Sequence, residues 1–525
     1  MFSIKPSSTI SRRRGRAIGA AALVLGMASS TAACSVAGGD TDSSDGGDST
    51  IRIVLSEEPP TLEPCEASSS ETGTIVRSNI TEPLMEMDQT TSELAPLLAT
   101  KWEQTSENLW TFTLRDDVKF SDGTDFDAEA AAYSIDRAVN SDLGCDVEGS
   151  FFGDVDLKVE APDATTLTVE TPKPDPVLPV RLSFIEMVPT STSATEKVRE
   201  PIGTGPYAIE SWEAGQRIAL TSNEHYWGEA PAYANATYVW RDQGTVRAAM
   251  VLNDEADIAT ELGPDDGAGD ALVSYPNNET TAIRMQVGEA PLNDIRVRQA
   301  INYATDREGI TTALFGEDAT LAAQLVTSSV LGHSESLEPW PYDPEKAKDL
   351  LAEAKADGVD VSKEIMLAGS VGGSSRSREV YQVVQKNLSD IGLNVKIKFG
   401  DDNFTSGLRK RPFREDAGPY MLIVQHGNQA GDSAFTLDTY VLSSGFQSSG
   451  GSDALDAKIL AAEALSGEER DAALQEVWAM EPTEVGQYSY LAHMNGLIGV
   501  SPDVNFEPNP GTADEMRLSS MSPAS

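Results

Sequence analysis

Ile202-Gly-Thr-Gly-Pro-Tyr207, followed by Ser211-Trp212, Gly215, Asn223 and Tyr226-Trp-Gly228, is the stretch that decides how this chain is read. Gly203 and Gly205 flank Thr204 and precede Pro206. That combination suits a tight turn, because glycine tolerates positive φ and proline fixes its own. The stretch reads as a turn and not as a catalytic loop. Trp212, Tyr226 and Trp227 are expected to fill the core and its adjoining wall, and His225, inside the same pattern, to sit at the surface.

Outward from this stretch, strands and helices are interspersed. Ile51 to Leu55 is a short β-branched run, Trp110 to Leu114 alternates as a half-buried strand should, and Leu167 to Val169 repeats the pattern. Asp127 to Val139 carries Ala131, Ile135, Ala138 and Val139 at helical spacing behind an N-cap at Asp127. Asp294 to Ala304 does the same with Ile295, Val297, Ala300 and Ile301. Asp343-Pro344 starts a helix to about Ala356, and Ser377 to Ile391 reads as another, ended by Gly392. Val395 to Phe399 alternates as a strand. There is no internal repeat of solenoid length.

The 525 residues exceed a single-domain scale of roughly 100 to 200 residues, so at least two lobes are expected. With 39 basic and 83 acidic residues the net charge is −44. Five of the basic residues precede Cys34, so loss of that leader leaves −49. A polyanion of this strength repels nucleic acid and anionic lipid. Met1 to Arg16 is basic, Ala17 to Ala28 apolar and Ser29 to Ala33 small, the order of an export signal. The apolar run has twelve residues, too few to span a bilayer. Thr31-Ala32-Ala33-Cys34 resembles a bacterial lipobox with Thr31 in place of the usual Leu, which implies that Cys34 carries lipid. Ser11 to Arg14 is similar to part of a twin-arginine signal, so the export route stays open. Ser35 to Thr50 is almost entirely Gly, Ser, Thr and Asp, a composition that cannot bury apolar surface and acts as a tether. Cys65 and Cys145 then remain as an even pair in an oxidising compartment, and a disulfide is expected between them.

The sequence carries little that points to reaction chemistry. His225, His333, His426 and His493 are far apart, and none forms a two-residue metal motif. There is no Gly-x-Ser-x-Gly elbow, no phosphate loop and no dinucleotide fingerprint. Paired carboxylates such as Asp116-Asp117 carry no weight among 83 acids.

Five segments in order then resemble one family. Glu93 to Trp102 with Trp110 to Arg115 and Val118 to Thr124; Ile202 to Gly228; Arg247 to Leu252 with Glu255 to Ile258; Pro291 to Arg307; and Tyr342 to Lys348 are similar to the peptide/nickel family (family 5) of ABC-transporter solute-binding proteins. The resemblance covers about residues 51–500. It implies an α/β, two-lobe periplasmic-binding-protein-like fold of class II, enlarged by an extra subdomain and hinged around a ligand cleft. The implied organisation is a signal peptide at 1–33, a lipidated cysteine and tether at 34–50 and a first lobe at 51–295 with an insertion at about 70–200. A second lobe at 296–490 and a return at 491–525 follow. The family implies a monomeric capture protein on the outer face of the cell membrane, attached through lipid only, serving an ABC permease and ATPase. It implies no cofactor, no resident metal, no nucleic acid and no enzymatic activity. A secreted hydrolase and a surface receptor without transport are the alternatives.

For the ligand, the resemblance points to a loop after the strand Tyr420 to Val424, reading Gln425 to Asp432. Peptide-binding members of the family place there an Asp that pairs with the peptide's amino group. Here Asn428 or Gln429 stands at that place, with Asp432 close behind, which weakens an ammonium anchor and favours hydrogen bonding. An oligopeptide is the default ligand, with a neutral oligosaccharide or a metal chelate, the latter through His426, as alternatives. Further candidates are Ser374 and Arg376, where backbone N–H groups at a helix start can receive a carboxylate or hydroxyl. Arg411 in the densest basic cluster and Trp240 complete the set.

Overall fold

The computed structural model describes residues 49–68, 70–88, 93–153, 155–316, 318–370 and 375–524. The expected leader, Cys34 and the tether to residue 48 lie outside the described residues, as does Ser374.

One eleven-stranded sheet carries the chain. Its order is Asn394–Gly400, Glu364–Ser370, Tyr420–Gly427, Leu272–Met285, Tyr488–Val500, Ile258–Ala259, Thr50–Leu55, Asn235–Trp240, Arg217–Ser222 and Tyr207–Glu213, with Thr320–Leu321 paired to Tyr488–Val500. Thr50–Leu55 is parallel to both neighbours, and Ile51, Ile53 and Val54 are fully buried. A strand covered on both faces reads as a near-continuous apolar run; here Arg52 interrupts it and pairs with Asp257 at 2.6 Å.

Two long antiparallel strands belong to both halves of the sheet. Leu272–Met285 and Tyr488–Val500 pair from Leu272 opposite Gly499 to Arg284 opposite Tyr488. One end of this ribbon joins Ile258–Ala259, and the other joins Tyr420–Gly427. Register slips between Pro276 and Glu279, where Asn278 takes a φ of 57°. Asn is the residue that best tolerates this left-handed conformation after glycine. The apolar cores divide on the same line. Ile51, Tyr207, Tyr238 and Leu518 pack on one side, and Ile283, Val297, Ile301, Leu351 and Val384 on the other.

A second, four-stranded antiparallel sheet is built from Ala99–Ser106, Leu109–Leu114, Thr166–Glu170 and Lys158–Asp163. Phe112, Leu114, Leu167 and Val169 face one core with Ala131, Ile135 and Ala138 of the helix Ala128–Val139. Asp127 caps that helix through the Ala130 N–H, and Asp294 and Asp343 cap Ile295–Ala304 and Pro344–Ala356 in the same way. Arg137 on the first helix meets Glu63 at 2.6 Å, both side chains fully out of water. Next to it, Cys65 and Cys145 form a disulfide with Cα atoms 5.3 Å apart.

The glycines of the opening stretch work differently from the expectation. Neither Gly203 nor Gly205 has positive φ. Instead a Cβ at Gly203 would come within 2.1 Å of the Ile80 carbonyl oxygen, and one at Gly205 within 2.5 Å of that of Asn79. The need is for close approach of two backbones. The Thr204 hydroxyl donates to Glu82 at 2.7 Å, and the Trp227 indole N–H donates to the same oxygen at 2.9 Å. The signature is therefore a clasp between residues 79–82 and 203–227. Trp212 is half-buried under Arg199, whose guanidinium carbon lies 3.9 Å from the ring centre.

The disulfide closes a loop with a sequence separation of 80 residues. Replacing Cys65 and Cys145 together by Ala should lower the free energy of unfolding by about 2–4 kcal/mol, measured by urea titration followed by tryptophan fluorescence.

Candidate functional site

The slip at Asn278 opens onto a cavity of about 630 Å³ walled from both halves of the sheet and from the C-terminal segment. Asn278 holds three of its walls together. Its amide donates to the carbonyls of Asn428 and Gly511, and its side-chain oxygen accepts from the Thr327 hydroxyl. Arg77 reaches in from the first half, Gln324, His333 and Asn428 from the second, and His493 from the shared strand. Asn509 to Thr512 supply the wall contributed by the C-terminal segment.

Other contacts close the two halves over this space. Arg77 donates to the Gln429 side-chain oxygen at 2.8 Å, and the Gln429 amide donates to Asp514. Further out, Arg181 lies 3.6 Å from Asp438, and Lys410 lies 3.5 Å from Asp146. The Phe151 ring stacks on Phe184 at 4.0 Å and meets Phe435 edge-on at 6.0 Å.

Of the residues expected at the site, Asn428 and Gln429 line the cavity. The strand Tyr420–Gly427 runs three residues beyond the expected Val424, so Gln425 and His426 are strand residues paired opposite Thr281 and Thr280. His426 is consequently buried behind the wall, with its Nε2 2.7 Å from the Thr436 hydroxyl. Burial pulls its pKa down to about 3, so the ring is neutral. Asp432 is no ammonium anchor. Both its oxygens are taken by Arg470, at 2.7 and 3.2 Å, and it caps the helix Ser433–Tyr440 through the Ala434 N–H. Arg411 donates to the carbonyls of Ser443, Gly445 and Ser448, so it staples a loop instead of facing ligand. Trp240 packs half-buried at the end of Asn235–Trp240, against the core of the first half. Arg376 falls in the first turn of Ser375–Asp390.

Sequence reading missed Arg77, Asn278, Gln324, His333, His493 and the segment Asn509 to Thr512. The one local signal was Pro276-Asn277-Asn278, three residues of low strand propensity in the middle of the strand Leu272–Met285. His333 and His493 have ring centres 6.2 Å apart, and His493 Nδ1 lies 2.8 Å from the Thr280 hydroxyl. Burial, then the neighbouring His333, pulls His493 down to about 4; burial lowers His333 against the opposing pull of Glu335. Both rings are neutral hydrogen-bonding groups at ordinary pH. Among the described residues, no group of three or more His, Cys, Asp or Glu is placed to hold a metal ion.

Behind the Arg77 wall lies a set of buried carboxyl groups. Burial raises Glu82 and Glu186 to about 7, partly countered by hydrogen bonds from Trp227 and Thr204 for Glu82 and by Arg77 and Thr81 for Glu186. Glu279, in the shared strand, is also raised to about 7 by burial and then by Asp514. Burial pushes Glu515 the same way, but Arg517 and Arg77 outweigh it and hold its pKa below the usual range.

A cavity between two halves of a sheet joined through a two-stranded ribbon is the arrangement of the hinged, two-lobed class of solute-binding proteins. The profile of the bacterial extracellular solute-binding proteins, family 5 Middle, matches residues 93–448, and the chain belongs to that family. The glutathione-binding protein GsiB of Salmonella paratyphi A is 29% identical over 361 residues, covering 66% of this chain and 69% of its own. The nickel-binding periplasmic protein of Escherichia coli is 28% identical over 376 residues, covering 64% and 69%. Among solved structures, a Pseudoalteromonas dipeptide-binding protein in complex with Met-Leu superposes with a TM-score of 0.78 at 19% identity, covering 90% of this chain and all of that one. NikZ of Campylobacter jejuni in complex with Ni(L-His) gives 0.76 at 21% identity, covering 90% and 99%. Both share the fold. The chain is thus the extracytoplasmic substrate-binding protein of an ABC importer and not an enzyme. Among the described residues, no helix is long and apolar enough to cross a membrane.

The raised carboxyls give a pH dependence. Glu82, Glu186 and Glu279 bind protons more tightly folded than unfolded, so their contribution is complete below about pH 4.5 and is lost as pH rises through about 7. Urea titrations should show stability falling between pH 5 and pH 8. Glu82→Gln, which keeps an acceptor for Thr204 and Trp227, should flatten part of that slope.

Proposed function

We propose that the chain captures a short peptide in the cavity at the seam and delivers it to an ABC permease driven by a separate ATPase. The observation that carries this reading is the partly open cavity of about 630 Å³ with polar groups on every wall, within the range of sites that bury a small ligand. Capture favours closure only through contacts made to both halves at once, and the Arg77, Asn278 and Gln429 contacts lie where such a ligand bridges them. Peptides are bound by the dipeptide-binding relative and by a Helicobacter pylori relative solved with the peptide STSA. In this reading residues 51–295 and 491–525 make one lobe, with an insertion at about 70–200, and 296–490 the other. The outward change of lobe at residue 295 follows the ribbon strand Leu272–Met285, and the return at residue 491 falls within Tyr488–Val500. The protein acts as a monomer, held to the membrane by lipid on Cys34.

A metal chelate is the second reading, favoured by the pair of neutral imidazoles at His333 and His493. Two histidines complete a coordination shell only if the chelator supplies the remaining donors. The nickel-binding relatives keep this reading open.

Di- to tetrapeptides, glutathione, neutral oligosaccharides and Ni-histidine, each tested by thermal shift and calorimetry on the purified protein, separate these readings. A peptide present at a hundredfold excess over its Kd should stabilise by about 2.7 kcal/mol; response to Ni-histidine alone selects the chelate, and response to sugars alone rejects both. Cys34→Ala should move the protein from the membrane fraction to the medium, since the −49 body supplies no electrostatic attachment. Retention of that variant on membranes refutes lipid anchoring at Cys34.

A further inference from the structure

Arg77 stands apart from the other buried arginines of this protein. Arg137 is paired with Glu63 at 2.6 Å, Arg470 with Asp432 at 2.7 Å, and Arg517 with Glu86 and Glu515. Arg284 and Arg307 lack a carboxylate but spend their N–H groups on several carbonyls, Leu408, Arg409 and Gln447 for the first and Asn302, Thr305 and Tyr490 for the second. Arg77 is 5% exposed and lines the cavity, yet its contacts among the described residues are one hydrogen bond to the neutral Gln429 amide and the face of Phe184, 4.8 Å away. A guanidinium has five N–H donors; Glu515, which Arg517 and Arg77 hold ionised, answers the charge of Arg77 from a distance but accepts none of its N–H groups.

The acids around it do not supply that charge by contact. Glu186 gives one oxygen to the Thr81 hydroxyl and makes no ion pair with Arg77, and burial keeps its proton on to about pH 7. Glu515 gives its oxygens to Ser78, Asn509 and Arg517. Gln429 bridges Arg77 and Asp514, its amide donating to Asp514 while its carbonyl oxygen accepts from Arg77. Asp88, Asp318 and Glu335 also line the cavity.

We propose that Arg77 seats a carboxylate of the bound solute, so that the floor of the cavity beside Asn428 and Gln429 is an anion subsite. The planar fork of Arg matches a carboxylate in two parallel hydrogen bonds, and the Gln429 carbonyl holds one edge of the guanidinium so that the rest is presented to the cavity. Phe184 fixes the plane of the group from one side. The inference rests on this cavity being the solute site, and it adds that the solute is an acid on the Arg77 side.

Ala-Ala and Ala-Ala-Ala, their C-terminal amides, and the small acids succinate and glucuronate, titrated calorimetrically into wild type, Arg77→Met and Arg77→Lys, test it. Free-acid peptides should bind wild type about tenfold to a hundredfold more tightly than their amides. Arg77→Met should bind both forms equally, at the level of the amide, and Arg77→Lys should restore part of the preference. If acid and amide bind wild type equally, or if Arg77→Met keeps the preference, the anion subsite is wrong while peptide capture stands. If only succinate or glucuronate binds, in an Arg77-dependent manner, the subsite stands and peptide capture falls. If no carboxylate binds wild type, both fall.

Discussion

Two strands hold this protein in one piece. Leu272–Met285 and Tyr488–Val500 lie side by side through both halves of the eleven-stranded sheet, and its other described strands attach to one half or the other. A ribbon of two strands is strong along its ladder and compliant across it, because main-chain pairing resists separation while twist costs little. The ladder cannot continue past Pro276 without a slip. At that slip Asn278 takes the left-handed conformation and turns its amide onto the second half and the C-terminal segment. The backbone irregularity and the cavity thus have one cause: where the ladder is interrupted, side chains from three directions replace it and leave space between them.

The charge balance follows from how the few basic residues are spent. With 39 cations against 83 anions, many arginines have been drawn inside, where they tie backbone carbonyls together. Arg247 holds Arg241, Thr260 and Glu261, Arg298 holds Leu292 and Val485, and Arg307 holds the strand end at Tyr490. The surface is left strongly negative, which keeps the molecule away from anionic membranes. Burial of Arg307 without an acid pulls its pKa down to about 9, a direct sign of what an uncompensated cation costs inside. Against that background Arg77, with a single hydrogen bond, is the exception that draws attention to the cavity.

Much of the architecture was readable locally. Asp127, Asp294 and Asp343 cap helices where an acidic residue before an apolar period said they should. The strands Leu109–Leu114 and Thr166–Glu170 lie where side chains alternate. The clasp around Gly203 and Gly205 was recognisable as backbone-driven, though its reason is contact with Asn79 and Ile80 and not a left-handed turn. The candidate site was legible only at Asn428 and Gln429. His426 was misplaced because Tyr420–Gly427 continues three residues further than its apolar run, its polar end being paid for by pairing with Glu279 to Thr281. Asp432 found Arg470, a partner no local pattern announces.

By itself the sequence determined the class of elements, their caps, the order of motifs that marks the family, and the anionic character of the whole, since each depends on neighbours within a turn or two of chain. Tertiary structure alone decided which polar groups meet. Arg77 and Gln429, Asn278 and Gly511, and His333 and His493 are separated by long stretches of sequence and become neighbours only because two crossing strands bring both halves and the C-terminal segment to one point. A binding cavity of this kind is a property of that convergence, and convergence leaves no periodicity in the chain.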